Sequence, residues 1–415
     1  MADEVERLLA LAKQAASRLP TSTPQQRCKF IQTTADLLIE RCDLVVQANA
    51  ADLAAAPQLT AALRDRLLLD APRVHALAVA TRQIAELPEV LGALVSSSER
   101  PNGLRVDRQR VPLGVIGIVY EARPNVTVDA ALLAIKAGNA VILRGGTEAR
   151  LTNAALASVV RDALTAAGLP ADAMQIPALL DRALVDALVG RAGGLDLAIP
   201  RGGTALIEAV SKAARVPVIQ HYQGVCHIYV DCDADLPMAT AIVLNAKVAR
   251  PGVCNAMEAL LIDSAVAAQA TPLLIAALTA AGVQVHGCGR TRALVGDLVV
   301  AATPADYGKE YLDLECLCAI VDGVQGACDH IARYGSRHTE AIVTNNPQTA
   351  EQFIAGVDAS CVAVNASTRF NDGGCLGLGA EIGISTTKIH AYGPMGLEAL
   401  TAVRFVVRGQ GQVRT

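Results

Sequence analysis

Through about the first ninety residues, apolar positions recur three or four residues apart, which is the spacing of amphipathic helices. Pro20–Thr23 interrupts the first run, whose apolar positions are Val5, Leu8, Leu9, Leu11 and Ala12. The same periodicity predicts a second helix over residues 24–38 and a third over residues 72–87. The chain is therefore expected to begin with a helical layer.

From residue 115 onward, short apolar runs alternate with helical segments. The runs predict strands over residues 115–120, 140–143, 195–199 and 216–219. The segments between and after them predict helices over residues 126–137, 153–167 and 204–214. This alternation is typical of an α/β protein whose parallel sheet is covered by helices on both faces.

A second unit of the same kind is expected to begin near residue 228. Its predicted elements are a strand over residues 228–231, an apolar strand at 259–262, and helices over 265–281 and 324–334. Two outlying segments also have strand patterns. Residues 104–110 alternate apolar and polar side chains, and residues 402–407 form an apolar run near the end of the chain.

Composition narrows the class of protein. Apolar residues make up 52% of the 415 residues and charged residues 18%, which excludes a disordered chain. The net charge of −4 gives no reason to expect nucleic acid or an anionic membrane as a partner. The eleven cysteines are scattered without zinc-like spacing, so no metal is expected, and they suit a reducing compartment. The acidic N-terminus does not resemble a signal peptide, and we expect a cytoplasmic protein.

Cys254 is the strongest candidate for catalysis. It lies in a turn-forming segment, residues 250–255, directly before the apolar run at 259–262. A turn ahead of a strand presents a thiol at the floor of a cleft, where the thiolate is a strong nucleophile toward acyl carbons. Most cysteines are instead buried structural thiols. The assignment therefore depends on partners elsewhere in the chain.

Two predicted strand ends carry an arginine followed by glycines. These are Arg144-Gly145-Gly146 and Arg201-Gly202-Gly203, and the second leads into a predicted helix. Backbone N–H groups and a cation at the carboxyl edge of a parallel sheet suit phosphate, although an isolated Arg-Gly-Gly is often a plain turn. No G-x-G-x-x-G follows a predicted strand, so the usual dinucleotide fingerprint is absent.

Two further segments carry hydrogen-bonding groups. Asn125 lies between a predicted strand and a predicted helix, where it is either a helix N-cap or a donor to an oxyanion. The segment Asn365–Phe370 combines hydroxyl and amide groups with Arg369, which suits a carboxylate or phosphate of a substrate, although solvated turns look similar.

Five blocks of this chain together resemble one family, the gamma-glutamyl phosphate reductases, also called glutamate-5-semialdehyde dehydrogenases, of the aldehyde dehydrogenase superfamily. In chain order the blocks are Val115–Asp129, Ile199–Gly203, Gly224–Asp231, Val364–Phe370 and Gly393–Leu400. The superfamily binds its nicotinamide cofactor without the usual glycine fingerprint, in agreement with its absence here. The resemblance implies two parallel-sheet α/β domains and a small β oligomerisation flap.

The resemblance also assigns roles to individual residues. Cys254 corresponds to the catalytic cysteine, and Asn125 to the asparagine of the oxyanion hole. The residues expected at the cofactor are Arg144, Gly145, Arg201, Gly202, Gly203 and Glu310. The residues expected to hold the charged ends of the substrate are Arg123, Asn365, Ser367, Thr368 and Arg369.

Two departures from relatives are informative. Hydrolytic aldehyde dehydrogenases carry a glutamate that activates water ahead of the strand entering the catalytic domain, whereas Pro217–Gly224 contains no acid. An enzyme that must preserve its thioester benefits from lacking that base. Tyr392 stands where many members have arginine, and a contact there is expected to differ.

The implied activity is the NADPH-dependent reduction of L-glutamate 5-phosphate to L-glutamate 5-semialdehyde through a cysteine thioester, the second step of proline biosynthesis from glutamate. One alternative is an NAD(P)-dependent dehydrogenase of another small aldehyde, and another is a scaffold without catalysis. The implied domains are 1–227 for the cofactor, with 98–114 in the flap, 228–364 for catalysis, and 365–415 returning to the first domain and the flap. A homo-oligomer is expected, and a transient complex with glutamate 5-kinase is compatible with this role.

Overall fold

The computed structural model describes residues 2–178, 181–220 and 223–414. A helical layer comes first, as the apolar periodicity predicts. Its helices are α1 (Ala2–Ala16), α2 (Pro24–Glu40), α3 (Cys42–Ala55), α4 (Ala61–Leu67) and α5 (Ala71–Glu86). Thr23 begins α2 with a capping box, because its side chain and that of Gln26 each accept the other's backbone N–H. The predictions for α1, α2 and α5 are confirmed, whereas α3 and α4 were not predicted as separate helices.

The first parallel sheet has the strand order β5-β4-β3-β6. Its strands are β3 (Val115–Tyr120), β4 (Ala140–Arg144), β5 (Met174–Gln175) and β6 (Leu197–Arg201). The helices that follow its strands are α6 (Asn125–Lys136), α7 (Arg150–Ala166), α8 (Arg182–Val189) and α9 (Thr204–Ala213). The predicted strand over residues 216–219 is wrong, because only Val218 makes a bridge, to Ala198 at the sheet edge.

The second parallel sheet has the strand order β10-β9-β11-β8-β7-β12-β13. Its strands are β7 (Cys226–Val230), β8 (Met257–Asp263), β9 (Gln284–Gly287), β10 (Val300–Ala301), β11 (Glu315–Val321), β12 (Thr339–Val343) and β13 (Cys361–Val364). Its helices are α10 (Leu236–Val248), α11 (Ala267–Ala280), α12 (Gly289–Val295), α13 (Gly323–Tyr334) and α14 (Pro347–Gly356). The predictions for β7, β8, α11 and α13 are confirmed. Both sheets are α/β layers, as the βα alternation indicates.

A separate antiparallel sheet of three strands joins residues from distant parts of the chain. Its strands are β1 (Leu94–Glu99), β2 (Arg105–Pro112) and β16 (Thr401–Arg408), in the order β1-β2-β16. The strands expected over residues 104–110 and 402–407 are confirmed and pair directly. Strand β1 was not predicted, because its Ser96-Ser97-Ser98 core is exposed and carries no apolar alternation.

The last segment of the chain packs back onto the first unit. Ile382, Met395 and Leu397 belong to the same buried apolar cluster as strands β3, β4 and β6. Two short strands in this tail, β14 (Ile384–Ser385) and β15 (Gly393–Pro394), pair antiparallel. The tail thus covers the region where the strands of the first sheet end.

Among the described residues, no helix combines the length and apolar character that a membrane crossing requires.

Candidate active site

Cys254 lies on the turn that leads into β8, as its sequence context predicts. Cys254 is half-buried, so part of this residue remains accessible to solvent. Two contacts hold its backbone. The buried Cys226 thiol donates to the Cys254 carbonyl, with 3.2 Å between Sγ and O, and Gly224 packs so closely that a Cβ there would overlap the same carbonyl. The turn is therefore held against the start of β7.

Asn255, the next residue, attaches this turn to a loop more than a hundred residues further along the chain. The Thr368 hydroxyl donates to the Asn255 carbonyl over 2.7 Å, and the Asn255 side chain donates to the Asn371 carbonyl over 3.0 Å. Both side chains are buried. Sequence reasoning missed this role for Asn255, because no local pattern distinguishes an asparagine that crosslinks two loops.

Charged groups of opposite sign act on the Cys254 thiol. Burial raises its pKa to about 11. Arg201 and Arg123 act against this shift because positive charge stabilises a thiolate, whereas Glu381 and Glu310 add to it. The first sheet contributes both arginines, and the tail contributes Glu381. The thiol therefore lies where the two units and the tail meet.

Asn125 is the first residue of α6, and the predicted N-cap role is wrong. Pro124 occupies the cap position, and no side chain caps this helix. The Asn125 amide instead donates to Asp129 one turn later, over 2.9 Å. An amide NH2 has a second N–H donor, which remains chemically suited to an oxyanion. Burial raises the pKa of the Asp129 carboxyl to about 6, and Arg201 acts on both this carboxyl and the Cys254 thiol.

Glu310 is held beside the catalytic turn. It accepts the backbone N–H of Gly224 over 2.8 Å, and burial raises the pKa of its carboxyl. A fully buried ion pair supports the same region, with 2.8 Å between Lys247 Nζ and Glu258 Oε2. Glu258 also accepts the N–H of Leu312, two residues after Glu310. Sequence reasoning did not identify this pair, since a buried salt bridge depends on two elements that meet only in the fold.

A cavity of about 450 Å³ opens at the carboxyl edge of the first sheet. Arg144 and Arg182 line it together with three carboxylates, those of Glu121, Glu148 and Asp186. Its apolar lining comes from α4, α8 and α9 and comprises Leu59, Leu63, Val185, Leu206, Ala209 and Val210. The two Arg-Gly-Gly segments end the strands on either side of β3, as the sequence predicts.

The glycines of both segments lie against other parts of the chain. A Cβ on Gly145 would overlap the Asn153 amide, and a Cβ on Gly202 would lie 2.4 Å from Glu121 Oε2. The N–H of Gly203 donates to the same Glu121 oxygen over 2.9 Å. Gly145 and Gly202 therefore lie tightly against neighbouring side chains, whereas a Cβ on Gly203 would meet only Glu121, at 4.0 Å.

The loop after β13 uses most of its polar side chains internally. Asn365 has φ +53°, and its amide exchanges two hydrogen bonds of 2.9 Å with the Thr344 backbone. Ser367 accepts the N–H of Arg369. Tyr392, the departure noted in the sequence, donates to Asp358, which Lys388 also contacts.

The fold and this site define the aldehyde dehydrogenase class, and residues 1–290 match the profile of the aldehyde dehydrogenase family. The chain is 51% identical to gamma-glutamyl phosphate reductase of Moorella thermoacetica, over 97% of each protein. It is 48% identical to the same enzyme of Nitratidesulfovibrio vulgaris, over 100% of this chain and 99% of that protein. The crystal structure of the Thermotoga maritima gamma-glutamyl phosphate reductase has a TM-score of 0.97 and 42% identity, covering 99% and 100% of the two chains. This chain therefore belongs to the gamma-glutamyl phosphate reductases of the aldehyde dehydrogenase family.

Proposed function

We propose that this protein reduces L-glutamate 5-phosphate to L-glutamate 5-semialdehyde and releases phosphate, the second step of proline biosynthesis from glutamate. The observation that carries the proposal is a cleft thiol, Cys254, flanked by two arginines in a chain that belongs to this family. The segment Pro217–Gly224 supplies no carboxylate to activate water against a thioester. Within it, His221 and Tyr222 lie outside the described residues.

The chain's own groups perform the acyl-transfer chemistry. The Cys254 thiolate attacks the acyl carbon, and phosphate leaves a thioester behind. Asn125 and the Cys254 N–H stabilise the negative oxygen of the tetrahedral intermediate, and one such donor typically contributes about 10²–10³ in rate. Asp129 orients the Asn125 amide through their hydrogen bond. When bound, a nicotinamide cofactor supplies the hydride that reduces the thioester.

The cavity at the edge of the first sheet fits the adenosine end of such a cofactor. It combines an apolar wall for the base with Arg144 and Arg182 for phosphate or ribose oxygens. Gly145, Gly202 and Gly203 are proposed to meet the cofactor through their backbone N–H groups at the strand ends, where a glycine places no side chain in the way. Glu310 is assigned to the nicotinamide ribose, because it lies beside the catalytic turn. Arg144 and Arg182 are the residues proposed to meet the extra phosphate of NADPH.

For the substrate, Arg123 and Arg369 are the residues proposed to meet its charged ends. The Asn365 amide is engaged in two hydrogen bonds with the Thr344 backbone. The Thr368 hydroxyl donates to the Asn255 carbonyl, and the Ser367 hydroxyl accepts a backbone N–H within its own loop. These three residues therefore shape the loop that carries Arg369.

The reverse reaction tests this function directly. Purified protein receives glutamate 5-semialdehyde and NADP, with and without inorganic phosphate, and NADPH formation is followed by absorbance. We expect turnover only with phosphate, because phosphate must attack the thioester. Turnover that ignores phosphate would assign the chain to the hydrolytic aldehyde dehydrogenases, and an absence of turnover would point to a scaffold without catalysis.

The domain boundaries stay as proposed, at 1–227, 228–364 and 365–415. They are supported by strands β3–β6 within residues 115–201 and strands β7–β13 within residues 226–364. The sheet of β1, β2 and β16 is proposed as the flap that joins copies into a homo-oligomer. Its edge strand β16 exposes Phe405 (69%) and Val407 (58%). All eleven cysteines are free thiols, which supports a cytoplasmic location.

A transient complex with glutamate 5-kinase is proposed on chemical grounds. An acyl phosphate is unstable in water, so direct transfer between the two enzymes would protect it. Pull-down of purified kinase with this protein in the presence of ATP and glutamate tests the contact.

A further inference from the structure

Several arginine side chains converge on the Cys254 thiol. Arg123 and Arg201 both act on this thiol, and Arg66 and Arg250 act on Arg123 in turn. Arg123 is exposed to solvent along part of its side chain, while its guanidinium is partly desolvated by the protein around it. Burial and the three neighbouring arginines lower the pKa of the Arg123 guanidinium to about 10. Two arginines thus favour the thiolate, while Glu381 and Glu310 oppose it.

These arginines are not paired with carboxylates. In the part of the chain that the structure describes, none of the four forms an ion pair, whereas Arg27, Arg73 and Arg161 each contact an acidic side chain. Asp129 and Glu381 act on Arg201 without reaching ion-pair distance. Arg201 is the half-buried one of the four arginines, so an anion that binds beside it meets a partly desolvated guanidinium.

Arg201 is built into the site rather than extended into solvent. It ends β6, its carbonyl accepts the N–H of Glu121, and its side chain passes beside Gly383 of the tail. A Cβ at Gly383 would lie 2.6 Å from Arg201 Nη1, so an alanine there would displace the guanidinium from its present position. The tail and the first sheet therefore fix this group beside Cys254.

The cavity that suits the adenosine end of the cofactor has its own arginines, Arg144 and Arg182, and Arg201 does not line it. We propose that Arg201 and Arg123 bind the phosphoryl group of the acyl-phosphate substrate, and that Arg201 does not serve the cofactor phosphates. This inference rests on the proposed function. A guanidinium suits the role because its planar fork donates two parallel hydrogen bonds to phosphate oxygens.

The proposed contact of Arg201 and Arg123 with the phosphoryl group has a chemical role when the thioester forms. As the bond between the Cys254 sulfur and the acyl carbon forms, the bond from that carbon to the phosphate oxygen breaks. The phosphate leaves with the electron pair of the broken bond and takes up one proton, equivalent to the proton that the Cys254 thiol loses, to give hydrogen phosphate. Arg201 and Arg123 neutralise the charge that develops on this leaving group, and in reverse they hold phosphate for attack on the thioester.

The test compares Michaelis constants in the reverse reaction for wild type, Arg201→Lys, Arg123→Lys and Arg182→Met. Lysine keeps the charge but not the fork, so we expect the KM for inorganic phosphate to rise about 10- to 100-fold in the first two variants. Their KM for NADP should stay within about threefold. Arg182→Met should instead raise the KM for NADP and leave that for phosphate unchanged. Arg215→Met, at an exposed position on the same unit, is the control and should change neither constant.

A second measurement separates this role from a structural one. Gly383→Ala crowds Arg201 without changing any charge, and it should also raise the KM for phosphate. Alkylation of Cys254 by iodoacetamide, which needs no phosphate, should keep its rate within about twofold in Arg201→Lys.

The proposal is overturned if Arg201→Lys raises the KM for NADP and leaves that for phosphate unchanged, or if neither constant moves. Failure of the proposed function looks different, because wild type itself would then show no dependence on phosphate.

Discussion

At the scale of single residues, the reactivity of the site depends on how the surroundings of Cys254 shift the pKa of its thiol. Cys254 has a raised pKa because it is desolvated, and the arginines and carboxylates around it act in opposite directions. Sequence reasoning identified Cys254 correctly as a turn residue before a strand, but it gave no sign of Glu381, which lies 127 positions later in a glycine-rich tail.

Replacement of Cys254 by alanine removes the group that carries the acyl chain. We expect the Cys254→Ala variant to lose reductase activity by a factor of about 10³ or more, because no other thiol takes its place on the turn. Cys375→Ala, at an exposed free cysteine, is the matched control and should retain wild-type rates. Activity above a few per cent in purified Cys254→Ala would contradict the thioester route.

The ionisation of Cys254 gives a pH prediction. With a pKa near 11, the alkylation rate should keep rising well above pH 9, because only the thiolate reacts. Glu381→Gln removes a negative charge that opposes the thiolate, so the profile should shift to lower pH and alkylation at pH 8 should be about two- to tenfold faster.

Mass spectrometry of the Cys254 peptide measures this labelling separately from the other ten cysteines. Glu351→Gln, on the exposed face of α14, serves as the control and should leave the profile unchanged. Slower labelling in Glu381→Gln would show that this carboxylate does not oppose the thiolate.

At the scale of elements, the turn before β8 is held from two sides. Gly224 and Cys226 at the start of β7 contact the Cys254 carbonyl, while Thr368 holds the Asn255 carbonyl from the tail side. Helix and strand positions followed from apolar periodicity because that pattern is local. Strand β1 was missed and the strand expected over residues 216–219 is a single bridge at Val218, because strand pairing rather than periodicity decides both.

Gly224→Ala tests the contact between β7 and the catalytic turn. The added Cβ would overlap the Cys254 carbonyl, so the turn must move, and a displacement of about 1 Å costs on the order of 10² in kcat. Gly289→Ala, at the start of α12, meets nothing within 4 Å and should change stability by less than about 1 kcal/mol. Steady-state kinetics with thermal unfolding checks both, and wild-type kcat in Gly224→Ala would refute the tight contact.

At the scale of the whole molecule, the site exists only where three parts of the chain meet. The first sheet brings Arg123, Asn125 and Arg201, the second brings Cys254, and the tail brings Glu381. Arg201 ends β6 and Arg123 follows β3, and both act on the thiol that precedes β8. The proposed flap likewise joins distant segments, because β2 and β16 are nearly three hundred residues apart in the chain and form one antiparallel pair.

The exposed face of β16 gives a prediction about assembly. Phe405→Asp puts a charge on an apolar strand face that is 69% exposed in the single chain, so an oligomer that buries this face should dissociate. Arg404→Ala, which points to the other face of the strand, is the control and should leave the assembly intact. Light scattering coupled to size-exclusion chromatography measures the molar mass, and an unchanged mass in Phe405→Asp would exclude the flap as the contact.

The amino-acid sequence by itself determined the α/β class, most helices and strands, the two Arg-Gly-Gly strand ends and the turn that carries Cys254. Each of these depends on interactions within a short stretch of chain, where side-chain periodicity and turn chemistry are visible. Only the tertiary structure decided that Asn125 bonds Asp129, that Asn255 is held by Thr368, and that Arg201 acts on the thiol. Burial, charge coupling and contacts between distant segments arise when the sheets and the tail pack together, so no local pattern records them.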